Sequence, residues 1–173
     1  MRILAIDPGN VQTAIVLLDG DAVVHKALGL NTDVRNSINV QMVDVIVCEM
    51  VASYGMPVGR TIFDTVVWIG VYRELARGMG IPFHLVTRRD CKLHLCGSCR
   101  AKDSNVRQAL LDAFPATGGG KTPQVGTKTQ PGPLFGFAKD LWAALAVAIT
   151  WRDMGQSAEY VLSSDIPLDA AQT

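Results

Sequence analysis

From Val43 to Cys48 the chain is almost wholly apolar and rich in β-branched residues, and the run stops at Glu49. A segment this short, without polar alternation, reads as a central strand buried on both faces. Such a strand needs packed layers above and below it, which is an α/β arrangement. The chain has 173 residues, 49% of them apolar, enough for one domain with a core that needs no metal or disulfide staple.

The other elements follow along the chain. Ile3 to Asp7 is a second apolar run, closed by Pro8-Gly9, and Thr13 to Asp19 is a third, closed by the turn signal Asp19-Gly20-Asp21. Ala22 to Leu28 then completes a three-stranded meander. Residues 31–42 are weakly helical, with Thr32 as candidate N-cap. Arg60 to Gly78 carries Ile62, Val66, Ile69, Tyr72 and Leu75 along a helical stripe. Ile81 to Val86 reads as a strand and Ser104 to Phe114 as a helix. Residues 115–136, with Gly118-Gly119-Gly120, Pro123, Pro131 and Pro133, read as a long mobile loop. Phe137 to Met154 is Ala-rich and apolar nearly all round, hence a buried helix. The expected order is β-β-β-α-β-α-β-α-α. That is a meander followed by parallel strands flanked by helices, one domain over 1–154, with a weakly ordered tail over 155–173.

No apolar run reaches the roughly 18–20 residues that span a bilayer. Asp7 interrupts the N-terminal run too early for a signal peptide, so a cytoplasmic location is expected. The net charge of zero conceals a basic segment: residues 88–139 hold nine Lys and Arg against three Asp, a net of six positive charges. Such a segment suits a polyanion, and equally suits the solvation of a loop-rich face. Cys91, Cys96 and Cys99 cluster about His94, but the spacing lacks a second knuckle and reads more readily as reduced thiols than as a zinc site.

Three acids stand where acids are costly. Asp7 ends the first apolar strand, Glu49 ends the central one, and Asp140 opens the Ala-rich helix. Asp7 also suits a turn, and Asp140 suits a helix N-terminus. Glu49 has no comparable local role. Brought together, the three carboxylates would repel unless divalent cations neutralised them. Their hard oxygens suit Mg²⁺, with Mn²⁺ as substitute, and two such ions can clamp the attacking and leaving oxygens of a phosphodiester.

With those residues in view, the chain resembles the RuvC family of Holliday-junction resolvases, within the ribonuclease H-like superfamily. Ile3-Leu4-Ala5-Ile6-Asp7-Pro8-Gly9 is similar to that family's first catalytic motif. Lys92, Gly97, Arg100, Ala101 and Val106 follow the pattern of its DNA-contacting segment, and Asp140 to Thr150 resembles its last catalytic helix. The resemblance spans roughly residues 1–152 and implies a ribonuclease H-like mixed sheet. It implies Asp7, Glu49 and Asp140 as catalytic metal ligands for two ions, and Lys92 near the scissile phosphate. Arg100 and Lys102 would contact the DNA backbone, with Arg107, Lys121 and Lys128 as further DNA-binding candidates.

The family pattern also implies a homodimer cutting branched DNA; the helix Arg60 to Gly78, whose Trp68, Ile69, Val71 and Tyr72 exceed what one packing face requires, is the expected interface. There are departures. Ala143 stands where the family carries a second acid, Cys99 where a glycine is frequent, and Asp103 where a lysine is typical. The segment Ser53 to Gly59 differs from cellular members. Tyr54 is the candidate there for an aromatic wedge in the junction. The short 29–43 segment and the long Gly/Pro loop look more like the bacteriophage-encoded branch, which would act in host cytoplasm and accept forks and flaps. Rival readings are a branched-DNA-binding module without activity, which Ala143 keeps open, and a nuclease of RNA–DNA hybrids. An actin-like ATPase would need a second domain.

Overall fold

The computed structural model describes residues 1–38, 43–53, 55 and 57–154. Tyr54 and the tail 155–173 therefore lie outside the described residues. Strands β1 (Arg2–Pro8), β2 (Gln12–Asp19) and β3 (Ala22–Leu30) form the antiparallel meander, followed by helix α1 (Asn31–Ser37). Strand β4 (Val45–Met50), helix α2 (Arg60–Gly78) and strand β5 (Phe83–Thr87) come next, then helices α3 (Arg88–Cys96), α4 (Asp103–Asp112) and α5 (Leu141–Met154). The sheet order is β3-β2-β1-β4-β5, with β4 parallel to both β1 and β5. This is the mixed sheet expected from the sequence.

Side chains alternate across a strand, so each strand feeds two cores. Ile3, Ala5, Val16, Val45, Val47 and Val86 face one way and pack under α3, α4 and α5. Leu4, Ile6, Ile15, Ile46, Cys48 and Leu85 face the other way, against α1 and α2. The central strand is buried on both faces, as its composition predicts. Helix α5 is the main cover of the first face. Its residues Ala144 to Trp151 are all buried, and Leu145 and Ile149 alone contribute about 1.5–3 kcal/mol each.

The structure differs from the sequence reading in four places. An additional helix, α3, occupies the first part of the basic segment. Thr87 and Asp90 form a capping box at its start, and Gly97 ends it at φ 67°. Helix α1 is seven residues long and begins after Leu30; Thr32 makes no cap. Helix α5 starts at Leu141 rather than Phe137, because Gly136 and Lys139 have left-handed φ angles of 78° and 48°. Finally, 115–136 is a folded loop rather than a loose one. Gly118 N donates to Pro123 O at 2.8 Å, Gly119 N to Gln130 O at 2.9 Å, and Leu134 N to Gln124 O at 2.8 Å. A Cβ on Gly118 would lie 2.6 Å from Gly132 N, so the loop is packed backbone to backbone.

Candidate active site

The ends of β1 and β4 are level. Ile6 is opposite Cys48 in the parallel register, so Asp7 and Glu49 follow side by side and share a face with Ala5 and Val47. Both carboxylates therefore point to the side covered by α3, α4 and α5. The turn after Asp7 is tightly specified. Gly9 N donates to Gln12 O at 2.9 Å, and a Cβ on Gly9 would lie 2.5 Å from that oxygen.

A buried polar chain fixes the same turn from behind. Tyr72 Oη donates to Thr13 Oγ1 at 3.0 Å, Thr13 donates to Asn31 Oδ1 at 2.7 Å, and Asn31 Nδ2 donates to Gly9 O at 3.0 Å. Tyr72 is wholly buried and Ile69 nearly so, which removes both from the outer face of α2 assigned to them by sequence. Phe63, Val66 and Val67 are the large apolar side chains exposed on that helix.

Burial pushes the Asp7 carboxyl up to about 8, and the charges of Glu49 and Asp140 push the same way, against Arg88. Burial also raises Glu49; Arg88 opposes this, and Asp103 and Asp140 add to it. Glu49 Oε2 is buried and, among the described residues, has no hydrogen-bond partner. The cation nearest to it is Arg88, whose Nη1 is 3.8 Å away. Arg88 Nη2 in turn lies 2.9 Å from Asp103 Oδ1, and Lys92 Nζ lies 3.4 Å from that same oxygen.

Asp140 is exposed, immediately before α5, and its carbonyl accepts from Ala144 N at 3.0 Å. Its carboxylate is close enough to influence both strand-end acids. Asp140 and Ala143 line a cleft of about 540 Å³ together with Arg88, Asp103, Arg107 and Trp142. The Arg107 guanidinium lies 4.9 Å over the Trp142 ring. Arg100 and Lys102 are exposed on the α3–α4 connection, and Lys121 and Lys128 are exposed on the folded loop.

Sequence reasoning did not single out Arg88 or Asp103 as part of this site. A signal for Arg88 was present: it is the first residue beyond β5, the parallel neighbour of β4. Asp103 becomes visible once α3 is known, because α3 carries Arg88 and Lys92 one turn apart on the same face.

An orphaned buried carboxylate oxygen and an all-oxygen donor set fit a hard divalent cation in chemistry. Among the described residues, no three His, Cys, Asp or Glu side chains converge to hold an ion as they stand. That holds equally for Cys91, Cys96 and Cys99, of which Cys91 is buried and Cys99 exposed.

No protein-family profile matches the chain, and no curated protein matches it in sequence. Solved structures do match. Thermus thermophilus RuvC superposes with a TM-score of 0.64 at 17% identity, over 90% of this chain and 97% of that one. T. thermophilus RuvC in complex with a Holliday junction substrate superposes with a TM-score of 0.62 at 16% identity, over 87% and 92%. The fold is that of RuvC. In this RuvC fold, Asp7 and Glu49 occupy adjacent strand ends, and the cleft beside them opens between α4 and α5. Among the described residues no helix is long and apolar enough to cross a membrane.

Proposed function

We propose that the chain is a divalent-metal-dependent, structure-selective endonuclease that nicks four-way DNA junctions and other branched DNA. The observation that carries this reading is the side-by-side placement of Asp7 and Glu49 on one face, with a buried carboxylate oxygen left unpaired. The RuvC fold, and the junction bound to one of its members, support the choice of substrate.

In this reading Asp7, Glu49 and Asp140 are the metal ligands. When bound, a pair of Mg²⁺ or Mn²⁺ ions supplies an activated water and charge stabilisation for the leaving 3′ oxygen, so the product carries a 5′-phosphate. Lys92 holds the phosphate undergoing attack. Arg100, Lys102 and Arg107 hold flanking backbone, with Lys121 and Lys128 on an adjacent arm and Tyr54 as the wedge. Two copies act together through α2, whose exposed Phe63, Val66 and Val67 form the apolar side of a two-fold contact. The short 29–43 segment and the long Gly/Pro loop support a bacteriophage-type member acting in host cytoplasm.

The test is nicking of a labelled four-way junction in Mg²⁺ and in Mn²⁺, beside Asp7→Asn and Glu49→Gln. Linear duplex, fork and RNA–DNA hybrid serve as controls. Paired symmetric nicks that vanish in both variants are expected. Tight junction binding without nicking in either metal would leave a binding module, and preferential cutting of the hybrid would move the activity to that substrate.

A further inference from the structure

Arg88 and Lys92 converge on a single oxygen. Asp103 Oδ1 lies 2.9 Å from Arg88 Nη2 and 3.4 Å from Lys92 Nζ. The two cations are set into the fold, with 33% and 22% of their side-chain surface exposed, whereas Asp103 is 73% exposed. The anion thus comes from outside and the cations from inside. Arg88 follows β5 directly, and its other terminal nitrogen faces Glu49 at 3.8 Å. The oxygen that Asp103 presents is therefore one guanidinium away from the carboxylate pair.

A non-bridging phosphodiester oxygen asks for the same donors as a carboxylate oxygen: charged N–H groups at hydrogen-bond distance. An exposed ion pair is worth only about 0–1 kcal/mol, so a solvent-facing Asp is readily displaced by a polyanion.

We infer that Arg88 and Lys92 form a receptor for one non-bridging oxygen of the phosphodiester beside Asp7 and Glu49. Asp103 fills that receptor when nucleic acid is absent. This inference rests on the proposed nuclease reading and adds two elements to it, a second phosphate-contacting cation and an internal competitor for its position. DNA binding then includes an exchange of anions. Asp103 swings from Arg88 and Lys92 into solvent as the phosphate arrives, and the two cations keep a partner throughout. The exposure of Asp103 and its place at the start of α4, on the wall of the cleft, give it room to move.

The experiment is a fluorescence-anisotropy titration of a labelled four-way junction in EDTA at fixed ionic strength, with the full chain. EDTA separates anion exchange from any effect of Asp103 on metal binding. Asp103→Asn is expected to bind roughly two- to fivefold more tightly, the range that removal of an exposed ion-pair competitor allows. The gain should vanish when Arg88→Met is added, and inorganic phosphate on its own should bind Asp103→Asn more tightly than wild type. Asp112→Asn, which removes an exposed charge at the far end of α4, controls for general repulsion.

Unchanged or weaker binding by Asp103→Asn overturns the inference. So does a gain matched by Asp112→Asn, or one that persists undiminished with Arg88→Met. Nicking of the same junction in Mg²⁺ reads the proposed function separately. Wild-type nicking without a gain in Asp103→Asn defeats only the exchange, whereas a gain without nicking by any protein defeats only the nuclease.

Discussion

Arg88 Nη1 lies 3.8 Å from Glu49 Oε2, a buried carboxylate oxygen with no hydrogen-bond partner among the described residues. That spacing is too long for a hydrogen bond, so the guanidinium offsets part of the charge without completing the coordination of the oxygen. The carboxylate pair at the strand ends is thus incompletely neutralised by the protein itself. The pH dependence of metal-free stability depends on this.

Metal-free stability should fall as pH rises. The folded-state pKa of Asp7 is raised from its ordinary 3.8 to about 8, so between those values the folded state binds more protons than the unfolded one. Stability contributed by protonated Asp7 is then present at acid pH and lost as pH climbs towards 8. Asp7→Asn should flatten this slope. A gain of about 2 kcal/mol at pH 8 would raise Tm by roughly 4–8 °C for a chain of this size, and the gain should shrink near pH 5. Thermal melts in EDTA across that range check it, and Mg²⁺ should narrow the difference between wild type and variant.

Asn31→Ala should destabilise the fold by about 2–4 kcal/mol. It leaves the Gly9 carbonyl without its donor and the Thr13 hydroxyl proton without its acceptor in a buried setting. Tyr72→Phe removes one donor from the same chain and should cost about 1 kcal/mol. Urea unfolding curves give both values, and an Asn31→Ala cost below that of Tyr72→Phe would contradict the assigned network.

Arg107→Met should weaken junction binding and lower the slope of log K against log salt by about 0.9, the value for one lost phosphate contact. The same substitution strips the cation from the face of Trp142, so the fluorescence of that indole should respond less to added DNA. An unchanged salt slope would take Arg107 out of the interface.

Val67→Lys should produce single chains. Val67 is 65% exposed and Phe63 59%, on the side of α2 turned away from the sheet. Sedimentation equilibrium on wild type and variant reads this directly. A variant with the mass of wild type would place any two-fold contact elsewhere.

Most of the sheet was legible because its strands are short apolar runs bounded by turn residues, and because Val45 to Cys48 leaves no wet face. Asp7 and Glu49 could be paired by sequence alone, since each closes such a run. The helix α3 was missed although Thr87, Asp90 and Gly97 are a cap, a capping partner and a stop; its polar, Cys-rich composition gave no apolar stripe to find. Arg88 and Asp103 could not be joined without it. The loop over 115–136 reads as loose because Gly and Pro are breakers locally. Here they allow backbone to lie against backbone, which no window of sequence reports. The inward turn of Tyr72 likewise depends on partners 59 and 41 residues away, Thr13 and Asn31.

The phenol of Tyr72 links α2, through Thr13 and Asn31, to the turn that follows Asp7. A neighbour leaning on the outer side of that helix would press on a rod of three buried polar side chains whose far end is the Gly9 carbonyl. In the proposed two-fold pair, each half would then feel how firmly the other is seated, and would feel it two residues beyond its own Asp7.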